Sequence, residues 1–141
     1  MTRPRHLGGI VLLAHGSPDP AWRRPVEAVC RTLRREHGVQ AATAYLGHGP
    51  PTPEDAVERL AAAGCTDIEI VACFLSSGGG HVRRDLPALV ERLSRTHPKL
   101  SIRLRPGALG EDPDVVAAMA RAAARPFAED GQNERATIAR N

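Results

Sequence analysis

Short apolar runs alternate along the chain with segments of helical period, and the connections between them are only a few residues long. That alternation constrains the fold more than any other feature. Gly9-Ile10-Val11-Leu12-Leu13-Ala14 is a continuous apolar run that stops at His15-Gly16-Ser17-Pro18, a buried strand followed by a loop. From Asp19 to His37, Val26, Val29, Cys30 and Leu33 recur at helical spacing, and Gly38 ends the segment. Val39–Leu46 reads as a second strand. Thr52 then caps a helix with Pro53 at its first position and Asp55 at its third, and the helix runs to Gly64. Asp67–Phe74 is the third strand, followed by Leu75-Ser76-Ser77 and three glycines. A helix is expected from about His81 to His97, with Pro87 tolerated in its first turns. Leu100–Leu104 is the fourth strand. Asp112-Pro113 opens an Ala-rich helix expected to end near Arg125-Pro126, which leaves 127–141 as a flexible tail to a single domain, 1–126.

A βαβαβαβα chain of this kind predicts one α/β domain, a four-stranded parallel sheet with helices on both faces. The expected strand order is 2-1-3-4. Ligands in such sheets bind at the carboxyl ends of the strands, where the order reverses. Here that point lies between strands 1 and 3. His15-Gly16-Ser17 follows the first of these strands, and Ser76-Ser77-Gly78-Gly79-Gly80-His81 follows the second. Adjacent strands lie about 4.8 Å apart, so the two loops can bring His15 and His81 to one ligand.

The other four histidines carry less. His37 and His97 fall in the last turns of helices, where a cation meets the negative end of the dipole. His6 sits in a polar N-terminal segment, where solvation is expected. His48 follows strand 2 and can reach the rim of the crevice.

Composition excludes several rivals. Lys99 is the sole lysine, so 18 of the 19 basic residues are arginines. Pro98 precedes it where a Walker A loop needs glycine, so no ATP or nucleotide site is expected. No basic run exceeds two residues and only four aromatics occur, which argues against nucleic acid. The first apolar run is six residues long, too short for a signal peptide core or a membrane span, so a cytoplasmic protein is expected. Cys30, Cys65 and Cys73 have no CxxC spacing and read as small buried hydrophobes in a reducing compartment.

Two histidines in a crevice suit more than one chemistry. Phosphohistidine transfer would want Arg before His-Gly, and Ala14 stands there. A phosphate cradle in Ser76–Gly80 lacks the GxGxxG pattern, and Ser17 and Ser76 lack a nucleophile elbow. Metal handling remains, since imidazole suits divalent iron, cobalt and nickel, and a two-ligand site suits a metal that is passed on.

At these residues the chain resembles the small class II tetrapyrrole chelatases, the sirohydrochlorin cobaltochelatase and ferrochelatase family of CbiX/SirB type. The resemblance runs through Leu12-Leu13-Ala14-His15-Gly16-Ser17, Ala44-Tyr45-Leu46 and Pro51-Thr52-Pro53. It continues through Val71–Leu75, Ser77-Gly78, His81-Val82 and Asp85-Leu86-Pro87 to the Pro106–Gly110 turn. It implies ATP-independent insertion of Co²⁺, Fe²⁺ or Ni²⁺ into sirohydrochlorin or a related tetrapyrrole. His15 and His81 would bind the incoming metal and help remove pyrrole protons, since an imidazole titrates near pH ~6.5. Gly16, Ser17, Ser76, Ser77, Gly78, Gly79 and Gly80 would hold the ring, with Arg83 and Arg84 near its carboxylates. The resemblance also implies a homodimer, because one such lobe is half of a cleft. Relatives commonly have an acidic residue after strand 2, where this chain has Gly47-His48. A non-enzymatic metal or tetrapyrrole carrier on the same lobe is the alternative.

Overall fold

The computed structural model describes the backbone of residues 7–138 and the side chains of residues 7–79 and 84–127. The side chains of His6, His81 and Arg83 lie outside the described residues. Strands β1 (Gly8–Ala14), β2 (Gln40–Tyr45), β3 (Asp67–Ala72) and β4 (Ser101–Ala108) form one parallel sheet in the order β2-β1-β3-β4. The helices are α1 (Arg24–His37), α2 (Pro53–Ala62), α3 (Gly80–Thr96) and α4 (Pro113–Ile138).

Alternation along the strands sorts the core into two layers. Val11, Leu13, Ile68 and Ile70 point toward α2 and α3, where they meet Val57, Leu60, Leu86, Leu89 and Leu93. Leu12, Ala14 and Val71 point the other way, toward Val26 and Cys30 of α1. On that second face α1 packs on β1 and β2. Beside Val71, the β3–β4 half carries Glu69, Arg103 and Arg105 on this face, and both arginines donate to the one carboxylate. An ion triplet of this kind needs water rather than a helix above it.

Local signals explain the helix ends. Gly38 takes φ 61° to close α1, a conformation glycine adopts without penalty. Thr52 and Asp55 form a reciprocal capping box at the start of α2.

Three boundaries differ from the sequence expectation. Asp19 caps a separate 3-10 turn, Pro20–Arg23, before α1 begins, because its carboxylate accepts from the Ala21 amide. β4 continues to Ala108 through Pro106 and Gly107, where a turn was expected. It is an edge strand with a register irregularity opposite Ile70–Ala72, the setting in which a strand accommodates proline. A second 3-10 turn, Leu109–Glu111, follows.

The third difference is α4, whose backbone stays helical through Pro126 to Ile138, past the end expected near Arg125-Pro126. Its long alanine-rich stretch has high helix propensity. Residues 120–127 are exposed, so the Ala122 carbonyl orphaned by Pro126 can turn to water. Among the described residues the helix touches mainly the Leu109–Glu111 turn. None of the described helices is long and apolar enough to cross a membrane.

Candidate functional site

The sheet does not end where its strands end. Leu46 N–H donates to Ala14 O (2.9 Å), Gly47 N–H to His15 O (3.1 Å), and Cys73 N–H to Leu13 O (2.8 Å). His15 therefore leaves β1 with its backbone still laced to the segment after β2. The close approach requires glycine at the next position. Gly16 has φ 89°, and a Cβ there would stand 2.3 Å from Gly47 O.

The His15 ring lies flat on Phe74, with centroids 4.2 Å apart and planes 19° from parallel. Phe74 comes two residues after β3, so this contact joins the two strand ends between which the sheet order reverses. The β3–α3 turn then leads to Gly80, the first residue of α3, with His81 next in the backbone of its first turn.

A cleft of about 620 Å³ opens over this stacked pair, on the α1 side of the sheet. Its walls are mostly apolar: Ala14, Val26, Tyr45 and Leu75, with Trp22 from the first 3-10 turn. Trp22 is 72% exposed and Leu75 69%, far more than large apolar side chains in a finished core.

Arg23 organises the far wall. Its guanidinium donates to Pro50 O (2.7 Å) and His48 O (2.9 Å), and it lies over the Tyr45 ring at 4.5 Å from the centroid. That clamp holds His48 at φ 64°, a left-handed conformation uncommon outside glycine. Burial pushes the Tyr45 hydroxyl above its ordinary range, with Glu27 adding and Thr43 and Arg23 opposing. The hydroxyl is buried and makes no hydrogen bond of proper geometry. Cys73 also faces the cleft, and burial raises its thiol pKa, so it is not a ready thiolate ligand.

The serines expected to hold a ligand are engaged locally. Ser17 Oγ accepts from Asp19 N–H (3.1 Å), and Ser76 Oγ from Gly78 N–H (2.9 Å). Ser77 gives both its N–H and its hydroxyl (2.6 Å) to the Glu111 carboxylate. Of the expected site residues, the metal-binding candidate His15 lines the cleft together with Gly16 and Ser76 from the ring-holding set, whereas Ser17, Ser77, Gly78 and Gly79 do not. Trp22, Arg23 and Tyr45 were not foreseen. The signal for the first two was the Asp19-Pro20 cap, which starts a turn ahead of α1 and lifts Trp22 and Arg23 to the strand ends. Among the described residues no three His, Cys, Asp or Glu side chains converge as a metal-binding group.

The sequence profile of the CbiX family matches residues 9–125, the sheet, its loops and the first half of α4. The chain belongs to the CbiX family. A CbiX protein of Marinobacter aquaeolei VT8, described for cobalamin (vitamin B12) biosynthesis, superposes with TM-score 0.73 at 30% identity. That match covers 88% of this chain and 98% of the other. The sirohydrochlorin cobaltochelatase of Methanothermobacter thermautotrophicus is 27% identical over 82 residues, 58% of this chain. The matched part is 57% of that relative's length. The sirohydrochlorin chelatase SirB of Bacillus subtilis subspecies spizizenii, solved in complex with cobalt, shares the fold: TM-score 0.60, 22% identity, 70% of this chain and 42% of that one. In the CbiX frame, the His15 loop and the β3–α3 turn both lie within the family match.

Proposed function

We propose that this chain inserts a divalent metal ion into sirohydrochlorin or a closely related tetrapyrrole, without ATP, with cobalt or iron as the metal. The observation that carries the reading is His15 on the floor of an apolar cleft, stacked on the residue that begins the turn to His81, in a chain of the CbiX family. Cobalt is the first metal to test, because the Methanothermobacter relative is named a cobaltochelatase.

The chemistry sets two demands. An aqueous metal ion must lose water, and two of the four ring nitrogens must lose protons. An imidazole at position 15 replaces a water on the metal, and imidazole is a side chain chemically suited to accept a proton from the ring. His81, the second residue of α3, supplies the second imidazole in this reading. A weak two-imidazole site releases its metal readily to a four-nitrogen ring, which holds it far better. The apolar walls, Trp22 and Leu75 among them, take the flat face of the macrocycle, and Arg84 lies beyond α3's first turn to meet its carboxylates.

A one-lobe cleft is open on one side, and a second copy closes it in this reading. The support is α4, whose Val116 (53% exposed), Met119 (50%) and Phe127 (79%) share one stripe with Ala120 and Ala123. A homodimer covers that stripe.

The test is anaerobic absorbance of sirohydrochlorin with Co²⁺ and then Fe²⁺, for the native chain and for His15→Ala and His81→Ala. Metallation faster than the protein-free rate and lost in both variants is the expected result. Binding of metal or macrocycle with no acceleration would make the protein a carrier instead.

A further inference from the structure

The turn that carries His81 toward the cleft has little of its own to hold it. Between Ser77 and His81 stand Gly78, Gly79 and Gly80, the last of them opening α3, and Gly79 takes φ 113°. Among the described residues, its internal tie is the hydrogen bond from Gly78 N–H to Ser76 Oγ. Three glycines in a row leave the backbone free to adopt many conformations.

What fixes the turn comes from another part of the chain. Glu111, the last residue of the 3-10 turn after β4, accepts both the Ser77 amide and the Ser77 hydroxyl on its carboxylate. The preceding residue, Gly110, donates its N–H to Phe74 O at 2.9 Å. Gly110 is pressed so close that a Cβ would stand 2.4 Å from the Leu75 Cα and carbonyl oxygen. Gly107 packs below, where a Cβ would lie 3.3 Å from Glu111 Oε2. Residues 107–111 are thus a strut that grips Phe74 through Ser77. One end of the gripped segment stacks on His15, and the other leads within four residues to His81.

We propose that Glu111 is a positioning residue of the metal site, holding the β3–α3 turn so that the histidines at 15 and 81 serve one ion. The inference deepens the chelatase reading and rests on it. The residue type follows from the chemistry. Ser77 offers two donors, and an acceptor-only carboxylate satisfies both at once, with charge-assisted bonds roughly twice as strong as neutral ones. Glutamine keeps the oxygen and the reach but loses the charge. Alanine loses both bonds.

The experiment titrates Co²⁺ into the full-length native chain and into Glu111→Gln, Glu111→Ala and Ser77→Ala, following the cobalt visible spectrum. Thermal unfolding and the sirohydrochlorin metallation rate are measured on the same samples. Removing a residue that orients a metal ligand lowers metal affinity about 10- to 100-fold, so Glu111→Ala should weaken Co²⁺ by that factor. Glu111→Gln should recover part of the loss, and Ser77→Ala, which keeps the amide bond, should lose several-fold. The metallation kcat should fall with KM for the tetrapyrrole little changed. A purely structural role would lower the melting temperature and leave cobalt affinity and spectrum as in the native chain, which overturns the proposal. Should Glu111→Ala not fold, unchanged cobalt binding in both Glu111→Gln and Ser77→Ala overturns it equally. Cobalt binding that depends on Glu111 without any metallation by the native chain would remove the chelatase reading and keep the positioning role. Metallation that ignores Glu111 would do the reverse.

Discussion

Replacing Gly16 by alanine tests whether the rim of the sheet is built as described. The new methyl meets two obstacles. At φ 89° an L-residue sits in left-handed territory, at about 1–2 kcal/mol. Its Cβ would also stand 2.3 Å from Gly47 O and 3.2 Å from Tyr45 Cβ, and neither neighbour is the loose end of a flexible side chain. Forcing such a group into packed surroundings typically costs about 1–3 kcal/mol. The stiffer unfolded chain returns about 0.4–1 kcal/mol, so the net loss is about 3 kcal/mol. For a domain of this size that is a fall in melting temperature on the order of 10 °C. The clash is relieved only by parting Gly47 from His15, which stretches the two hydrogen bonds from Leu46 and Gly47 and moves the imidazole. Metallation should therefore drop at least about tenfold, a modest allowance for a misplaced reacting group. The assay is thermal unfolding by circular dichroism alongside cobalt insertion. Gly8→Ala serves as the control, since a Cβ there meets nothing within 4 Å. A Gly16→Ala protein that melts within 2 °C of the native one, at about the precision of the melt, would refute the reasoning.

Three further substitutions probe other parts of the structure. Tyr45→Phe removes a buried hydroxyl without a hydrogen-bond partner and keeps the ring beneath Arg23, so stability should hold or rise by up to about 1 kcal/mol in a urea melt. For Glu69, burial raises the carboxyl pKa, but the hydrogen bonds from Arg103 and Arg105 outweigh it and the net direction is down. A folded pKa below the unfolded value gives stability that is present above the unfolded pKa of about 4.3 and fades as pH falls through the folded one. Glu69→Gln should thus lower the urea midpoint at pH 7, and the gap to the native chain should close as the pH is taken below 4.3. A gap that widened on acidification would contradict the assigned direction. Thr52→Ala removes the hydroxyl that accepts the Asp55 amide in the capping box and should cost about 1 kcal/mol, read as a melting temperature lower by about 3–4 °C.

The frame was legible because it depends on period and punctuation. Runs such as Ile10–Ala14 can only be buried strands, and right-handed crossovers leave few orders for four of them. The meeting of the His15 loop with the β3–α3 turn follows from that order. What escaped the sequence depends on contacts between distant segments. Arg23 reads as one more arginine near a helix start, and nothing local says that its guanidinium ends on carbonyls 25 and 27 residues away. The serines read as free donors, yet Ser77 is engaged by Glu111, 34 residues on. Pro106 and Pro126 read as stops. Each sits where a missing amide does little harm, one on an edge strand and the other in a helix surrounded by water.

The rim around His15 is joined almost wholly by main-chain groups: Ala14 with Leu46, His15 with Gly47, Leu13 with Cys73, and Phe74 with Gly110. A frame of that kind does not depend on which side chains it displays, except where glycine is needed for clearance. Apart from the Arg23 and Glu111 ties, exposed positions around the cleft, Trp22 and Leu75 among them, can therefore be exchanged one at a time without the scaffold having to be reinvented. What the cleft accepts can drift by single codons while its architecture stays put.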